Sequence, residues 1–398
     1  MTNTENYVII GNGAAGYYAA NTIRKNNSTA SIKIISAEKY LTYYRPQLSE
    51  YLYEEIPEKK FYLSPDSWYV DNNIDLQLGT FVTEIHTANK VLKLEDGSKV
   101  NYDKLILANG SSNFIPPIKG TELEGVYTLK YKNDADRIKE AIKSSKKAVV
   151  IGGGLLGLEA AWEMKKSGLQ VTVVEFFPRL LPRQLDDTGS ELFKNIVNSS
   201  GVDIILGDSA EEIISHDTVS KVSALRLKSG KIIDTDLVLF SAGIRPNKTL
   251  AEKSGILCHR AIVVNEKMET NVKDIYACGD VAEINGIVYG TWPAAMEMGK
   301  VAGKNATGEN SKFKEFSSSV IFRGLNAEVF SAGTIDFNDV SLKQFAQEDS
   351  SKKIYKKIFF KDGVLAGAIL IGDTKKAAKV ISGMKNSAGE EIVNEILA

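Results

Sequence analysis

Short runs of mostly apolar residues recur along the chain at Tyr7 to Ile10, Ile32 to Ser36, Tyr102 to Leu107, Ala148 to Ile151, Val171 to Val174 and Leu237 to Ser241. Runs this short, rich in β-branched residues and separated by helix-compatible stretches, predict the buried strands of a doubly wound parallel sheet. Two other regions alternate between apolar and polar positions. Phe81 to Ile85 and Lys90 to Leu94, followed by Asp96-Gly97, predict a small antiparallel meander. Lys221 to Ile233, with Ser229-Gly230 at its turn, predicts a second. The tail from about Phe316 reads differently. Lys356 to Phe360, the turn Lys361-Asp362-Gly363 and Val364 to Ile371 predict a hairpin, because Asp-Gly suits a type I′ turn. A lysine-bearing helix is expected from Thr374.

The crossover Ile115-Pro116-Pro117 marks a domain boundary. A second βαβ region starts near Val126 and ends where its closing strand runs into Ala242-Gly243-Ile244-Arg245-Pro246-Asn247. The chain is then expected to return to the first domain at Ile275-Tyr276-Ala277-Cys278-Gly279-Asp280. A length of 398 residues calls for two or three domains. The division expected is residues 1–113 with 246–315, residues 114–245, and residues 316–398 as a small α+β domain.

Two glycine-rich turns carry the chemistry: Gly11-Asn12-Gly13-Ala14-Ala15-Gly16 and Gly152-Gly153-Gly154-Leu155-Leu156-Gly157. Each follows an apolar strand and opens a helix-compatible run. The first glycine permits the tight turn, the second lets backbone approach a pyrophosphate, and the third lets helix and strand pack closely. Two such turns imply two different dinucleotides. Roughly 20 residues beyond each turn a strand ends in an acid, Glu38 and Glu175, suited to accept hydrogen bonds from ribose hydroxyls. Glu175 would repel a 2′-phosphate, and Phe176, Phe177 and Pro178 supply no base for one, which favours NADH over NADPH. Arg179 is the one nearby base.

A formal net charge of −1 argues against bulk attraction to nucleic acid or an acidic membrane. The chain enters its first strand within a few residues and has no apolar stretch near the length of about 20 needed to span a bilayer, so a cytoplasmic protein without a signal peptide is expected. Cys258 and Cys278 cannot ligate an iron–sulfur cluster and form no CxxC pair; Cys278 reads as a small core residue. His86, His216 and His259 show no ligand-like spacing, and no metal site is expected.

With these residues the chain resembles the pyridine nucleotide-disulfide oxidoreductase family over almost its whole length. The resemblance implies two Rossmann-like domains of glutathione-reductase type, FAD on the first turn and NADH on the second. It places Glu38 on the FAD adenosine ribose, Val82 near the adenine, and Ala108-Asn109-Gly110 close to the flavin phosphates, with Asn109 where the family has Thr. Gly279 and Asp280 match the second FAD fingerprint, and Trp292-Pro293-Ala294-Ala295 the helix start whose N–H groups face the flavin pyrimidine. Gly243 is assigned to NADH, and Glu159 either to the nicotinamide surroundings or to a plain helix surface. Arg45 reads either as a cation at the isoalloxazine edge or as a charge in a proline turn.

One departure decides the branch. The stretch Leu41 to Ser49, where disulfide reductases and peroxidases of the family carry reactive cysteines, has none. The chain resembles the NADH:rubredoxin oxidoreductases best, through Glu38-Lys39-Tyr40, Tyr43-Tyr44-Arg45-Pro46, Arg183-Gln184-Leu185-Asp186, Met268-Glu269-Thr270 and Asp274 to Asp280. The implied reaction is hydride transfer from NADH to FAD, without a protein acid or base, then electron delivery to rubredoxin or another small redox carrier. Alternatives are an NADH oxidase, an electron-input subunit of a nitrite or nitrate reductase, and a flavin-bound protein without catalysis. Monomer and homodimer both stay open. The tail lysines at 352, 353, 356, 357, 361, 375, 376 and 379, interspersed with acids, read either as a docking face for an acidic carrier or as a solvated surface.

Overall fold

The computed structural model describes residues 5–215, 220–314, 319–335 and 339–398; His216 and the expected boundary at 315/316 lie outside these. The chain divides into two units, one of residues 1–47, 55–113 and 244–316, the other of residues 48–54, 114–243 and 317–398.

The first unit is built on five parallel strands in the spatial order Ile275–Ala277, Lys104–Leu107, Asn6–Ile10, Ser31–Ser36, Ile74–Leu78. The returning segment 275–277 thus closes the sheet beside 104–107, as the sequence leads one to expect. Ile9 stands between Ile34 and Ile106 in register and is fully buried. Helices Ala14–Asn26 and Trp292–Ala306 pack backbone to backbone: a Cβ at Gly299 would lie 2.2 Å from the Ala15 carbonyl oxygen. The first meander is present as Val82–His86, Val91–Leu94 and Lys99–Asn101. Asp274 accepts hydrogen bonds from Lys90 and Lys104, each at 2.6 Å, and so ties that meander to the sheet. Cys278 is wholly buried, and burial pushes its thiol up to about 12, which leaves it an inert core residue.

The second unit repeats the plan. Five parallel strands run in the order Asp203–Leu206, Gln170–Glu175, Lys147–Ile151, Leu237–Phe240, Val126–Thr128, with the meander Ala210–Ser215, Val222–Leu227, Ile232–Asp234 beside them. A five-stranded antiparallel sheet follows, ordered Ser319–Gly324, Ala327–Gly333, Val364–Ile371, Ile354–Lys361, Lys343–Asp349. Its expected hairpin is present, and Asp362 and Gly363 both take positive φ (51° and 78°), as a type I′ turn requires. The helix expected from Thr374 starts instead at Ala377, after a turn in which the Ala377 N–H donates to the Thr374 carbonyl at 2.9 Å.

This sheet is seated on the helices of the second dinucleotide fold. Phe322 meets Phe193 edge to face at 5.6 Å, and Gly324 lies under Trp162. A buried charge completes the joint. Asp186, the N-cap of helix Asp187–Ser199, accepts from the Gly189 N–H at 2.9 Å, the Tyr355 hydroxyl at 2.6 Å and the Lys357 ammonium at 2.7 Å. Lys356 is buried too, paired with Asp373 at 3.1 Å and donating to the carbonyls of Leu397 and Ala398. The pair Lys356-Lys357 is therefore no part of a docking face or of a solvated surface. Both ammonium groups are engaged within the unit.

Removing one partner of a buried, multiply hydrogen-bonded ion pair leaves the other desolvated and uncompensated. Lys357→Ala is expected to cost about 3 kcal/mol or more in urea-induced unfolding, against well under 1 kcal/mol for Lys361→Ala at an exposed turn. Equal effects of the two substitutions would refute the assignment.

Candidate dinucleotide sites

The two glycine turns share one geometry. Gly11 has φ 108°, and a Cβ there would lie 2.3 Å from the Ala108 carbonyl oxygen; Gly152 has φ 120°, with the Ser241 oxygen at 2.4 Å. Neither position admits a side chain. At the third glycine, a Cβ on Gly16 or Gly157 would lie 2.0 or 2.1 Å from the carbonyl oxygen of the first. Gly13 and Gly154, the N-caps, face open space instead, with nothing within 4 Å of a built Cβ. Neither helix start has a side-chain cap. Each helix thus presents uncapped N–H groups and the positive end of its dipole at a cleared position, which is the arrangement a pyrophosphate needs.

In the first unit Glu38 accepts the Tyr43 hydroxyl and an Arg45 N–H, both at 2.6 Å. Arg45 therefore sits in its proline turn beside the strand-end acid, its guanidinium over the Tyr43 ring at 4.9 Å. Val82 lies on the neighbouring meander strand. Gly279 presses on the helix start at Ala15, and the Asp280 carboxylate accepts the Ser111 hydroxyl at 2.7 Å. Pro293 is at the first turn of helix Trp292–Ala306, Ala294 is buried behind it, and Trp292 meets Tyr44 edge to face at 5.1 Å.

Sequence reasoning missed a buried network that fixes the first turn. The Thr42 hydroxyl lies 2.8 Å from both the carbonyl and the side-chain oxygen of Asn12, and Tyr69 joins the same cluster at 3.0 Å. No local pattern links positions 12, 42 and 69.

Gln47 Oε1, Asn109 Oδ1 and Thr291 Oγ1 are buried side-chain atoms without a hydrogen-bond partner. All three belong to the segments just described, and a buried polar atom of this kind is costly to leave unmet. The cleared helix start fits the pyrophosphate of a dinucleotide.

In the second unit both oxygens of the buried Glu175 carboxylate are fixed, by the Gly153 N–H at 2.6 Å and the Phe177 N–H at 2.8 Å. Arg179 is paired with Asp187 at 2.5 Å. Phe176 and Phe177 project as an exposed edge-to-face pair beside the acid, and Leu156 is exposed at the helix start after Leu155. Gly243 takes φ 95° at the end of the closing strand. Glu159, on helix Leu155–Lys166, accepts the Ser49 hydroxyl at 3.0 Å; Ser49 comes from segment 48–54, which the sequence did not assign to this unit. Burial, with the Glu50 and Glu163 charges adding to it, pushes the Glu159 carboxyl up to about 7. No group of three or more metal-ligating side chains occurs among the described residues, and no helix there is long and apolar enough to cross a membrane.

Because folding raises the Glu159 carboxyl from 4.5 to about 7, the folded chain holds that proton more tightly than the unfolded one. Stability linked to this group is present below pH 4.5 and is lost as pH rises to about 7. Glu159→Gln should therefore raise the melting temperature at pH 8, by the equivalent of at most roughly 3 kcal/mol, and change it little at pH 4.5. The same increment at both pH values would rule out the perturbed carboxyl.

Residues 5–299 match the model of the pyridine nucleotide-disulphide oxidoreductases, and residues 319–388 match the rubredoxin NAD+ reductase C-terminal domain. The chain is 38% identical to a nitrite reductase [NAD(P)H] of Bacillus subtilis over 96% of its own length, but spans only 47% of that relative. It is 32% identical to the NADH-rubredoxin oxidoreductase of Clostridium acetobutylicum, covering 98% of this chain and 97% of the relative. Among solved structures, a NAD-dependent persulfide reductase from A. fulgidus superposes with a TM-score of 0.89 at 31% identity, over 98% of this chain and 78% of that one. With both glycine turns inside the matched span, the chain belongs to the pyridine nucleotide-disulphide oxidoreductase family.

Proposed function

We propose that this chain is an NADH-dependent FAD oxidoreductase that delivers electrons to a small external carrier, rubredoxin by preference. The observation that carries this reading is the pair of matching glycine cradles joined to a chain without a thiol relay. Of its two cysteines, Cys278 is buried and inert, and neither lies in the stretch 41–49. Electrons that enter therefore have no disulfide to reduce within the chain. The near full-length likeness to a clostridial NADH-rubredoxin oxidoreductase and the matching C-terminal domain support the carrier.

A bound FAD supplies a ring that accepts the two electrons of a hydride together and releases them singly. The chain's own residues bind and orient. In this reading Gly11, Gly13, Ala14, Ala15 and Gly16 seat the FAD pyrophosphate, while Glu38, steadied by Tyr43 and Arg45, takes the adenosine ribose near Val82. Ala108, Gly110, Gly279 and Asp280 line the polyol and phosphate chain. Pro293 and Ala294 open the helix whose N-terminal dipole favours negative charge at the pyrimidine. Gly152, Gly154, Leu155, Leu156, Gly157 and Gly243 form the NADH cradle, with Glu175 on its ribose and Glu159 at the nicotinamide end.

In this reading the Glu175 carboxylate, immobilised by two backbone bonds, opposes a 2′-phosphate, and Asp187 holds Arg179. Replacing both acids, Glu175→Ser with Asp187→Asn, is expected to raise the NADPH-to-NADH ratio of kcat/KM about 100-fold, since a like-charge clash of several kcal/mol is removed. An unchanged ratio would show that specificity lies elsewhere.

The carrier assignment is tested by anaerobic stopped-flow reoxidation of the NADH-reduced protein with rubredoxin, compared with dissolved oxygen. Faster reoxidation by rubredoxin is expected. Rapid turnover with oxygen and slow transfer to rubredoxin would make the protein an oxidase, and slowness with both would exclude rubredoxin.

A further inference from the structure

Leu181 is held in a backbone conformation that its own chemistry resists. Its φ is 48°, in the left-handed region, where a bulky, fully buried side chain is rarely found. Pro182 follows, and a proline drives the residue before it toward extended backbone. Such a conformation persists only where its surroundings over-determine it. Here they do. The Leu181 carbonyl accepts from the Gln184 and Leu185 N–H groups, both at 2.9 Å, and the Leu180 carbonyl accepts from the Ser190 hydroxyl at 2.9 Å. The Arg179 guanidinium donates to the Pro182 carbonyl at 3.3 Å.

One bond leaves this loop for the second glycine turn. The Leu181 N–H donates to the Gly153 carbonyl at 3.1 Å, and a Leu180 methyl lies 2.7 Å from where a Cβ on Gly153 would be. Gly153 is thereby fastened at both ends, its N–H on the Glu175 carboxylate at 2.6 Å and its carbonyl on Leu181. The peptide that follows is planar and trans, so the Gly154 N–H points opposite to that carbonyl, away from Leu181. Gly154 is the N-cap whose surroundings are clear. The first unit fastens the matching carbonyl by other means: the Thr42 hydroxyl, from the loop after Glu38, meets the Asn12 carbonyl at 2.8 Å. There a side chain makes the bond. In the second unit the backbone makes it, and Leu181 must turn left-handed to do so.

We propose that Leu181 is a positioning residue for NADH: its left-handed backbone supplies the hydrogen bond that aims the second glycine turn at the pyrophosphate. This rests on the NADH reading above and assigns Leu181 no contact with the cofactor. The turn is set before the ligand arrives, so binding does not have to order it.

The test separates backbone conformation from packing. Leu181→Val keeps an apolar side chain but, being β-branched, rejects positive φ; Leu181→Asn accepts positive φ but puts an amide into an apolar site. Anaerobic stopped-flow reduction of the FAD-loaded protein by NADH gives the Kd for NADH and the limiting rate of flavin reduction, and thermal melts give stability. Leu181→Val should raise the Kd about tenfold, the scale of one hydrogen bond, and leave the limiting rate little changed. Leu181→Asn should melt at the lower temperature of the two yet bind NADH as the wild type does. Should either variant fail to fold, Leu181→Ile replaces Leu181→Val and Leu181→Gly replaces Leu181→Asn, by the same backbone preferences. Affinity that follows the melting temperature, with Leu181→Asn binding more weakly than Leu181→Val, would overturn the proposal and make Leu181 a packing residue. A wild-type Kd in both variants would overturn it too, by showing that the turn does not need this bond. A wild-type protein whose flavin NADH does not reduce would instead overturn the NADH reading and this inference with it.

Discussion

Close approach between backbone and backbone at the two glycine turns is the constraint on which the rest of this molecule depends. The parallel ladder sets Ile9 against Ile106, and in the second unit Val150 against Leu239. With those strands at hydrogen-bonding distance, the chain leaving the central strand must pass directly over the end of its neighbour. A Cβ at Gly11 or Gly152 would meet a carbonyl oxygen at 2.3 or 2.4 Å, so an alanine would push the helix off the sheet. Only because the helix starts flush with the strand end are its N-terminal N–H groups cleared for an anion. The contact of Gly299 with Ala15 carries the same logic outward to the second helix.

Charge plays two different parts. Over the whole chain 49 basic residues nearly balance 50 acidic ones, for a formal net charge of −1. Inside, single carboxylates act as tethers. Asp274 gathers Lys90 and Lys104, and Asp186 gathers Gly189, Tyr355 and Lys357. Asp186 lies in the stretch Arg183-Gln184-Leu185-Asp186 by which the chain resembles rubredoxin reductases, and its contacts give that stretch a physical purpose: it anchors the C-terminal sheet. A lysine-rich tail is thus a poor guide to docking when two of its lysines are already used within the fold.

Much of the architecture was legible because its causes are local. The buried strands announce themselves by unbroken apolar runs, the meanders by alternation, and the hairpin by Asp362-Gly363, whose positive φ angles follow from the turn type. The glycine spacing, with an acid roughly 20 residues on, specifies a dinucleotide turn because one short segment contains both the bend and the helix start. Glu175 stands at the end of the second such strand, its carboxylate accepting two backbone hydrogen bonds.

What joins distant segments left no trace in the linear pattern. Segment 48–54 gives Ser49 to Glu159, and burial moves that carboxyl to about 7 against the pull of the Ser49 hydrogen bond, which no inspection of a helix-surface glutamate would suggest. Arg45 meets Glu38 at 2.6 Å across a turn of seven residues. Thr42 and Tyr69 come to Asn12, Lys357 to Asp186, and Asn247 to Asn109 only when the sheets are assembled. The sequence by itself determined the strands, the two cradles and the missing thiols, because periodicity, glycine geometry and composition act within a few residues. The tertiary structure alone decided which charges are buried and which amide is clasped, because those depend on neighbours tens to hundreds of residues away.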